Sequence, residues 1–209
     1  MTVIRQDDFI DSIADALQFI SYYHPVDFVK AVHAAYLREQ NPAARDAMAQ
    51  ILINSRMCAQ GHRPICQDTG IVVVVLKIGM KVQWDATLSV SDMVNEGVRR
   101  AYTNPDNVLR ASILEDPAGA RRNTRDNTPA VIHMEVVPGD TVDVQVAAKG
   151  GGSENKSKLA MLNPSDSIVD WVVKTIPTMG AGWCPPGMLG IGIGGTAEKA
   201  ALLAKEALM

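Results

Sequence analysis

Ile71-Val72-Val73-Val74-Val75-Leu76-Lys77-Ile78 is the stretch on which the fold turns. It is almost entirely apolar and mostly β-branched, and it is too short for a core helix. Such a run reads as a strand buried on both faces. Directly before it stands Arg63-Pro64-Ile65-Cys66-Gln67-Asp68-Thr69-Gly70. A thiol, an amide, a carboxylate and a hydroxyl therefore crowd the mouth of a buried strand. Chemistry favours such mouths, because a rigid element holds the groups while substrate can still reach them. A second cysteine sits in a comparable setting, Gly180-Ala181-Gly182-Trp183-Cys184-Pro185-Pro186-Gly187. The expectation is that the two loops meet in space.

On the N-terminal side of the strand the chain reads as helical. Ile10, Ile13, Leu17 and Ile20 recur at helical spacing over residues 7–23, with Asp7, Asp8 and Asp11 at the positive end of the helix dipole. A second helix covers 26–39. Asn41-Pro42 supplies an N-cap and a first-position proline for a third, which ends near Gly61 and holds Cys58 as a core residue. On the C-terminal side, Ser91 to Tyr102 reads as a helix and 103–129 as a long polar loop with at most one short helix. Val131–Val137 and Thr141–Ala148 flank Pro138-Gly139-Asp140, which reads as a hairpin. Asn163-Pro164 opens a further helix, Met188–Ile193 reads as a short strand, and Gly194-Gly195-Thr196 opens the last helix. The fold class expected is α+β. The 209 residues are expected to form one domain, with a helical part over 1–61 and a sheet-containing part over 62–209.

Bulk composition narrows the function classes. The chain is 47% hydrophobic and 21% charged, with a net charge of −3, as in ordinary globular proteins. That balance gives no electrostatic case for nucleic acid. No apolar run approaches the roughly 20 residues that span a bilayer, and Met1 to Asp8 is too polar for a signal peptide. Three cysteines do not make a disulfide framework and fit a reducing, cytoplasmic setting. The helix over 196–209 carries no stop signal, so the sequence reads as part of a longer enzyme.

Several groups bear on chemistry, each with a plainer alternative. Cys66 and Cys184 offer soft thiolate ligands for iron–sulfur or zinc, or are two small buried hydrophobes. Asp68 is a general base, or a carboxylate that closes a turn. Gly150-Gly151-Gly152 offers backbone N–H groups to an anion, with Lys149, Lys156 and Lys158 nearby, or is a hairpin exit. Arg110, Arg121, Arg122 and Arg125 suit a substrate carboxylate or a solvated loop face. Arg110 is preferred because Val108, Leu109 and Ile113 would anchor it near the core. Gly190-Ile191-Gly192-Ile193-Gly194-Gly195 matches a dinucleotide fingerprint, but the acidic residue that would hold a ribose is missing, so it reads as a tight turn into a helix.

Taken in order, five stretches resemble the class I, iron–sulfur-dependent fumarate hydratases and the related tartrate dehydratases. They are Gly61–Gly70, Asn104–Arg110, Lys149–Ser157, Gly182–Gly187 and Gly190–Thr196. The resemblance implies a hydro-lyase acting on a small dicarboxylate, with fumarate and (S)-malate preferred over tartrate and with homodimers in the full-length enzyme. It also implies a [4Fe–4S] cluster with Cys66 and Cys184 as two ligands and a third expected beyond residue 209. Gln67, Arg110, Gly150 and Gly151 would hold the substrate, and Asp68 would act as the base or its helper. A chain lacking the rest of that site is expected to be inactive alone, or to be a subunit that needs a partner.

Overall fold

The computed structural model describes residues 2–180, 182–184 and 186–209. They fall into two compact units, residues 1–149 and 150–209, each described by itself.

In the first unit, β1 (Val3–Arg5) leads into α1 (Gln6–Tyr22), followed by α2 (Val26–Arg38) and α3 (Pro42–Gly61). Phe9, Ile10, Ile13 and Leu17 put the apolar side of α1 in the core, and Asp7 and Asp8 occupy its first turn. Asn41 caps α3 as expected. Its Oδ1 accepts the N–H of Ala43 at 3.0 Å and of Ala44 at 3.3 Å, and Pro42 stands at the helix start. His62 ends α3 in the left-handed conformation, φ 47°. Next come β2 (Ile71–Gly79), β3 (Gln83–Asp85) and α4 (Val90–Tyr102). β1 is too short to carry a sequence signal, and it is fixed by pairing parallel with β3. α4 lies close on α1 because Gly97 has no side chain. A Cβ there would stand 2.7 Å from Ile13 Cβ and 2.8 Å from Ile10 O.

The loop that follows α4 contains no helix among its described residues. It carries a two-stranded ribbon of β4 (Leu114–Glu115) and β5 (Arg122–Asn123). β6 (Val131–Val137) and β7 (Val142–Lys149) form where the alternation placed them, but they are not a hairpin. The sheet order is β6-β2-β7, with β2 parallel to β6 and antiparallel to β7. β2 inserts between its two neighbours because its apolar residues need cover on both sides. The connection at 138–141 closes over the end of β2. Gly79 N–H donates to Thr141 O, Met80 N–H to Val137 O and Lys81 N–H to Gly139 O, each at 2.9 Å. A Cβ on Gly79 would lie 2.7 Å from the Gly139 backbone, so only glycine fits under this arch. On one face of β2, Val72, Val74 and Leu76 are fully buried among α1 and α4. Each contributes about 1.5–3 kcal/mol of hydrophobic stabilisation.

The second unit contains α5 (Gly151–Glu154), α6 (Ile168–Thr175) with a 3-10 turn at Ile176–Met179, and α7 (Ala197–Glu206). α6 starts at Ile168 and not at Asn163-Pro164. Asp166 Oδ2 takes the Asn163 N–H at 2.7 Å and makes a separate turn there, while Ser167 caps the helix through Asp170 N–H at 3.2 Å. Met188–Ile193 is not a strand among the described residues. Gly190 and Gly192 instead lie against α7, where a Cβ would meet Ala204 O at 2.0 Å and Ala200 O at 1.9 Å. That close approach accounts for the glycines, and Gly194 and Gly195 turn into α7 at φ 87° and 74°. None of the described residues of 150–209 is fully buried.

Helices and small mixed sheets together make the fold α+β, as expected. No helix among the described residues is long and apolar enough to cross a membrane.

Candidate active site

The loop before β2 is held by bonds from four directions. Ile65 N–H donates to Ser21 O of α1 at 2.8 Å, and Asn54 Nδ2 of α3 donates to Ile65 O at 3.0 Å. Tyr102 OH, at the end of α4, donates to Thr69 O at 2.6 Å. Asn127, fully buried, donates through Nδ2 to Gly70 O at 3.0 Å, while its Oδ1 accepts Ser112 N–H at 2.7 Å and Ile113 N–H at 3.3 Å. Gly70 takes φ +83° and passes so near β7 that a Cβ would sit 2.7 Å from the Ala148 carbonyl carbon. Such fixation is what a site on a loop needs.

Within this frame the Cys66 thiol is exposed. Its Sγ accepts the Asp68 N–H at 3.4 Å and donates to Gln67 Oε1 at 3.5 Å. Asp68 Oδ1 accepts the Gly70 N–H at 3.1 Å, which fixes the carboxylate two residues from the sulfur. Cys66, Asp68 and Thr69 line one cleft of about 240 Å³. Its other walls are Leu17, Ile20, Ser21 and His24 from α1 and the turn after it, Ile65, Tyr102, Leu109 and Ala148. Burial pushes the Tyr102 hydroxyl up to about 12, so it stays protonated and donates. Burial lowers the His24 imidazole below its ordinary value. Its Nδ1 lies 3.0 Å from Ser55 Oγ, and its ring stacks on Phe28 at 4.5 Å.

The residues expected from sequence are distributed as follows. Cys66 and Asp68 face one cleft, with Gln67 exposed beside them. Arg110 joins the site through its backbone, because Thr69 Oγ1 donates to Arg110 O at 2.6 Å, and its side chain is exposed. Leu109 anchors that segment at 3% exposure, whereas Val108 points outward at 66%. Arg121, Arg122 and Arg125 are exposed loop residues. Gly150 and Gly151 begin the single turn of α5, with Glu154 N–H donating to Gly150 O at 3.0 Å, and are not an open nest.

In the second unit α5 meets the other cysteine loop. A Cβ on Gly152 would stand 2.5 Å from Gly182 O, and Ser153 Oγ donates to Trp183 O at 3.4 Å. Cys184 is exposed with φ 60°, while Ala181 and Pro185 of the quoted stretch lie outside the described residues. Glu154 is ion-paired with Lys205 of α7. Sequence reasoning missed Ser21, His24, Tyr102 and Asn127. The first three sit in or beside helices that read as scaffold, and Asn127 lies in a loop that read as solvated.

Donor chemistry tests whether an iron–sulfur group suits these residues. Among the described residues no set of three His, Cys, Asp or Glu converges as a metal site. Cys58 is buried and donates to Asn54 Oδ1 at 3.6 Å and Pro64 O at 3.7 Å, so it is a core residue, as expected. Cys66 and Cys184 are exposed soft donors, and Cys66 already accepts an N–H bond of the kind that stabilises a thiolate. These two fit such a group as part of a larger ligand set.

Fold and site define an α+β domain that presents an accessible thiol and a fixed carboxylate on one cleft. The chain belongs to the fumarate hydratase (Fumerase) family, whose family model matches residues 10–209. It is 32% identical over 205 residues to a Methanocaldococcus jannaschii protein named "Putative L(+)-tartrate dehydratase subunit alpha", covering 95% of this chain and 71% of that one. It is 33% identical over 173 residues to the anaerobic class I fumarate hydratase of Escherichia coli, covering 79% of this chain and 31% of that enzyme. An Escherichia coli L(+)-tartrate dehydratase subunit alpha is 26% identical over 205 residues, covering 94% of this chain and 65% of that subunit. The family read from the motifs is thus borne out, and these relatives are hydro-lyases by name.

Proposed function

We propose that this chain forms part of a hydro-lyase that reversibly adds water to fumarate to give (S)-malate. The observation that carries the reading is the placement of Cys66, Asp68 and Thr69 on one cleft at the mouth of β2. The cleft is of a size for a four-carbon dicarboxylate and is open to solvent.

Adding water across the double bond requires a proton at one carbon and hydroxide at its neighbour. Asp68 serves as the base that moves the carbon-bound proton, or holds the group that does, with its carboxylate aimed by the Gly70 N–H. Gln67 and the Arg110 guanidinium take the substrate carboxylates through amide and charge-assisted hydrogen bonds. Gly150 and Gly151 add backbone N–H groups. Leu17, Ile20 and Leu109 give the cleft an apolar wall that limits water. Cys66 and Cys184 are the thiols that would hold a [4Fe–4S] group, which when bound supplies a Lewis acid for the substrate hydroxyl. The remaining ligand and substrate contacts come from a further segment or a partner subunit. The longer class I enzyme and the relatives named as alpha subunits support this.

Tartrate dehydration is the second reading. It is favoured by the alpha-subunit relatives, which match along 95% and 94% of this chain. The complete enzyme containing this chain, assayed with fumarate and with L(+)-tartrate, distinguishes them. A kcat/KM at least tenfold higher for fumarate is expected, and the reverse preference assigns tartrate. Such a margin matches the few kcal/mol that one mispaired hydroxyl costs (on the order of 10²-fold or more).

A further inference from the structure

β6 is a sheet edge with no protection against pairing. It lies on the outer side of β2 in the order β6-β2-β7 and has no further strand beside it among the described residues. Edge strands are normally blunted by proline, lysine, a bulge or a covering loop. Val131-Ile132-His133-Met134-Glu135-Val136-Val137 has no proline and no lysine, and its register with β2 runs unbroken from Val131 to Val137. Val131, Met134 and Val136 are 44%, 47% and 69% exposed.

The strand is also complementary to itself. Reversed about Met134, it sets Val131 opposite Val137, Ile132 opposite Val136 and His133 opposite Glu135. In an antiparallel pair, residues directly opposite each other share a face and touch. The register with β2 and β7 puts Glu135, Lys77 and Asp143 in one row across the sheet. A second copy would continue that row with His133, so negative and positive groups alternate along it. An imidazole N–H donates to a carboxylate in either protonation state. On the opposite face, Met134 would meet its own copy and Val136 would meet Ile132, covering the side chains now exposed. Pro129 and Pro138 lack N–H groups and bound the pairing segment at both ends.

We infer that β6 pairs antiparallel with β6 of a second copy about a two-fold axis at Met134. The pairing joins two three-stranded sheets into one of six strands. The occupant is another copy of this chain because the strand's apolar and charged positions are each matched by its own reversal. The inference is independent of the substrate assignment.

The test uses the whole chain in reducing buffer. Sedimentation equilibrium should give a concentration-dependent dimer. H133E places like charges opposite each other at two symmetric positions and should weaken the dimer roughly tenfold. The double exchange H133E/E135H should restore it, while circular dichroism shows each variant folded. Independently, M134C should form a disulfide between the two copies on mild oxidation, identified as a 134–134 linked peptide, because opposite residues on antiparallel strands lie within disulfide reach. M80C, exposed but remote from the axis, should not link. The inference stands if the charge exchange and the cross-link both behave in this way. A monomer at all concentrations, a dimer indifferent to H133E, no rescue by the exchange, or equal linking by M80C overturns it.

Discussion

The Thr69 hydroxyl donates to the Arg110 carbonyl at 2.6 Å, joining the cysteine loop to the arginine segment across a separation of 41 residues. Thr69→Val keeps the shape of the side chain and removes the donor. Stability should fall by about 1 kcal/mol. KM for the dicarboxylate should rise several-fold with kcat little changed, because the bond positions a binding group and not the base. Thermal melts and steady-state kinetics check this, and unchanged KM would remove Arg110 from the substrate site.

Asn127 serves two segments at once, with Gly70 on one side and Ser112 and Ile113 on the other. Asn127→Ala leaves two N–H groups and one carbonyl in the interior without partners. A loss of about 2–4 kcal/mol is expected from urea unfolding midpoints. A loss below about 0.5 kcal/mol, the level of an ordinary surface substitution, would show that water or neighbouring groups replace the amide.

Tyr102 gives a pH dependence with a definite sign. Its hydroxyl ionises near 10 in the unfolded chain and is pushed up to about 12 in the fold. The stabilisation is therefore complete below pH 10 and is lost as pH rises from 10 to 12, on the order of 2–3 kcal/mol in all. Tyr102→Phe lacks this titration. It should be less stable than the parent by about 1 kcal/mol at pH 7, with the gap closing through pH 10–12. Parallel stability curves for the two proteins would contradict the buried, donating hydroxyl.

What could be read from the sequence follows the range of the forces involved. α1, α3 and β2 are set by local periodicity and caps, and they formed where Ile10, Asn41 and the run from Ile71 placed them. The pairing of β6 and β7 was misread because Pro138-Gly139-Asp140 carries a turn signal whether or not a third strand lies beneath the turn. Only the space left by Gly79 distinguishes the two cases. The strand expected at Met188–Ile193 failed for a similar reason, since Gly190 and Gly192 answer to α7, which comes later in the chain. Cys66 and Asp68 were visible as an unusual cluster at a strand mouth. Tyr102 and Asn127 were not, because a tyrosine ending an amphipathic helix and an asparagine in a polar loop look the same whether or not their polar atoms reach a site.

The most direct test of the central proposal is the iron content and fumarate turnover of the complete enzyme containing this chain, loaded anaerobically, with Cys66→Ser and Asp68→Asn beside the parent. Cys66→Ser should lose the iron–sulfur group and all turnover. Asp68→Asn should keep the iron and lose about 10²–10⁴-fold in kcat, the usual range for a general base. A Cys66→Ser enzyme that retains both its iron and its activity, or an Asp68→Asn enzyme as fast as the parent, would contradict the roles assigned to this cleft.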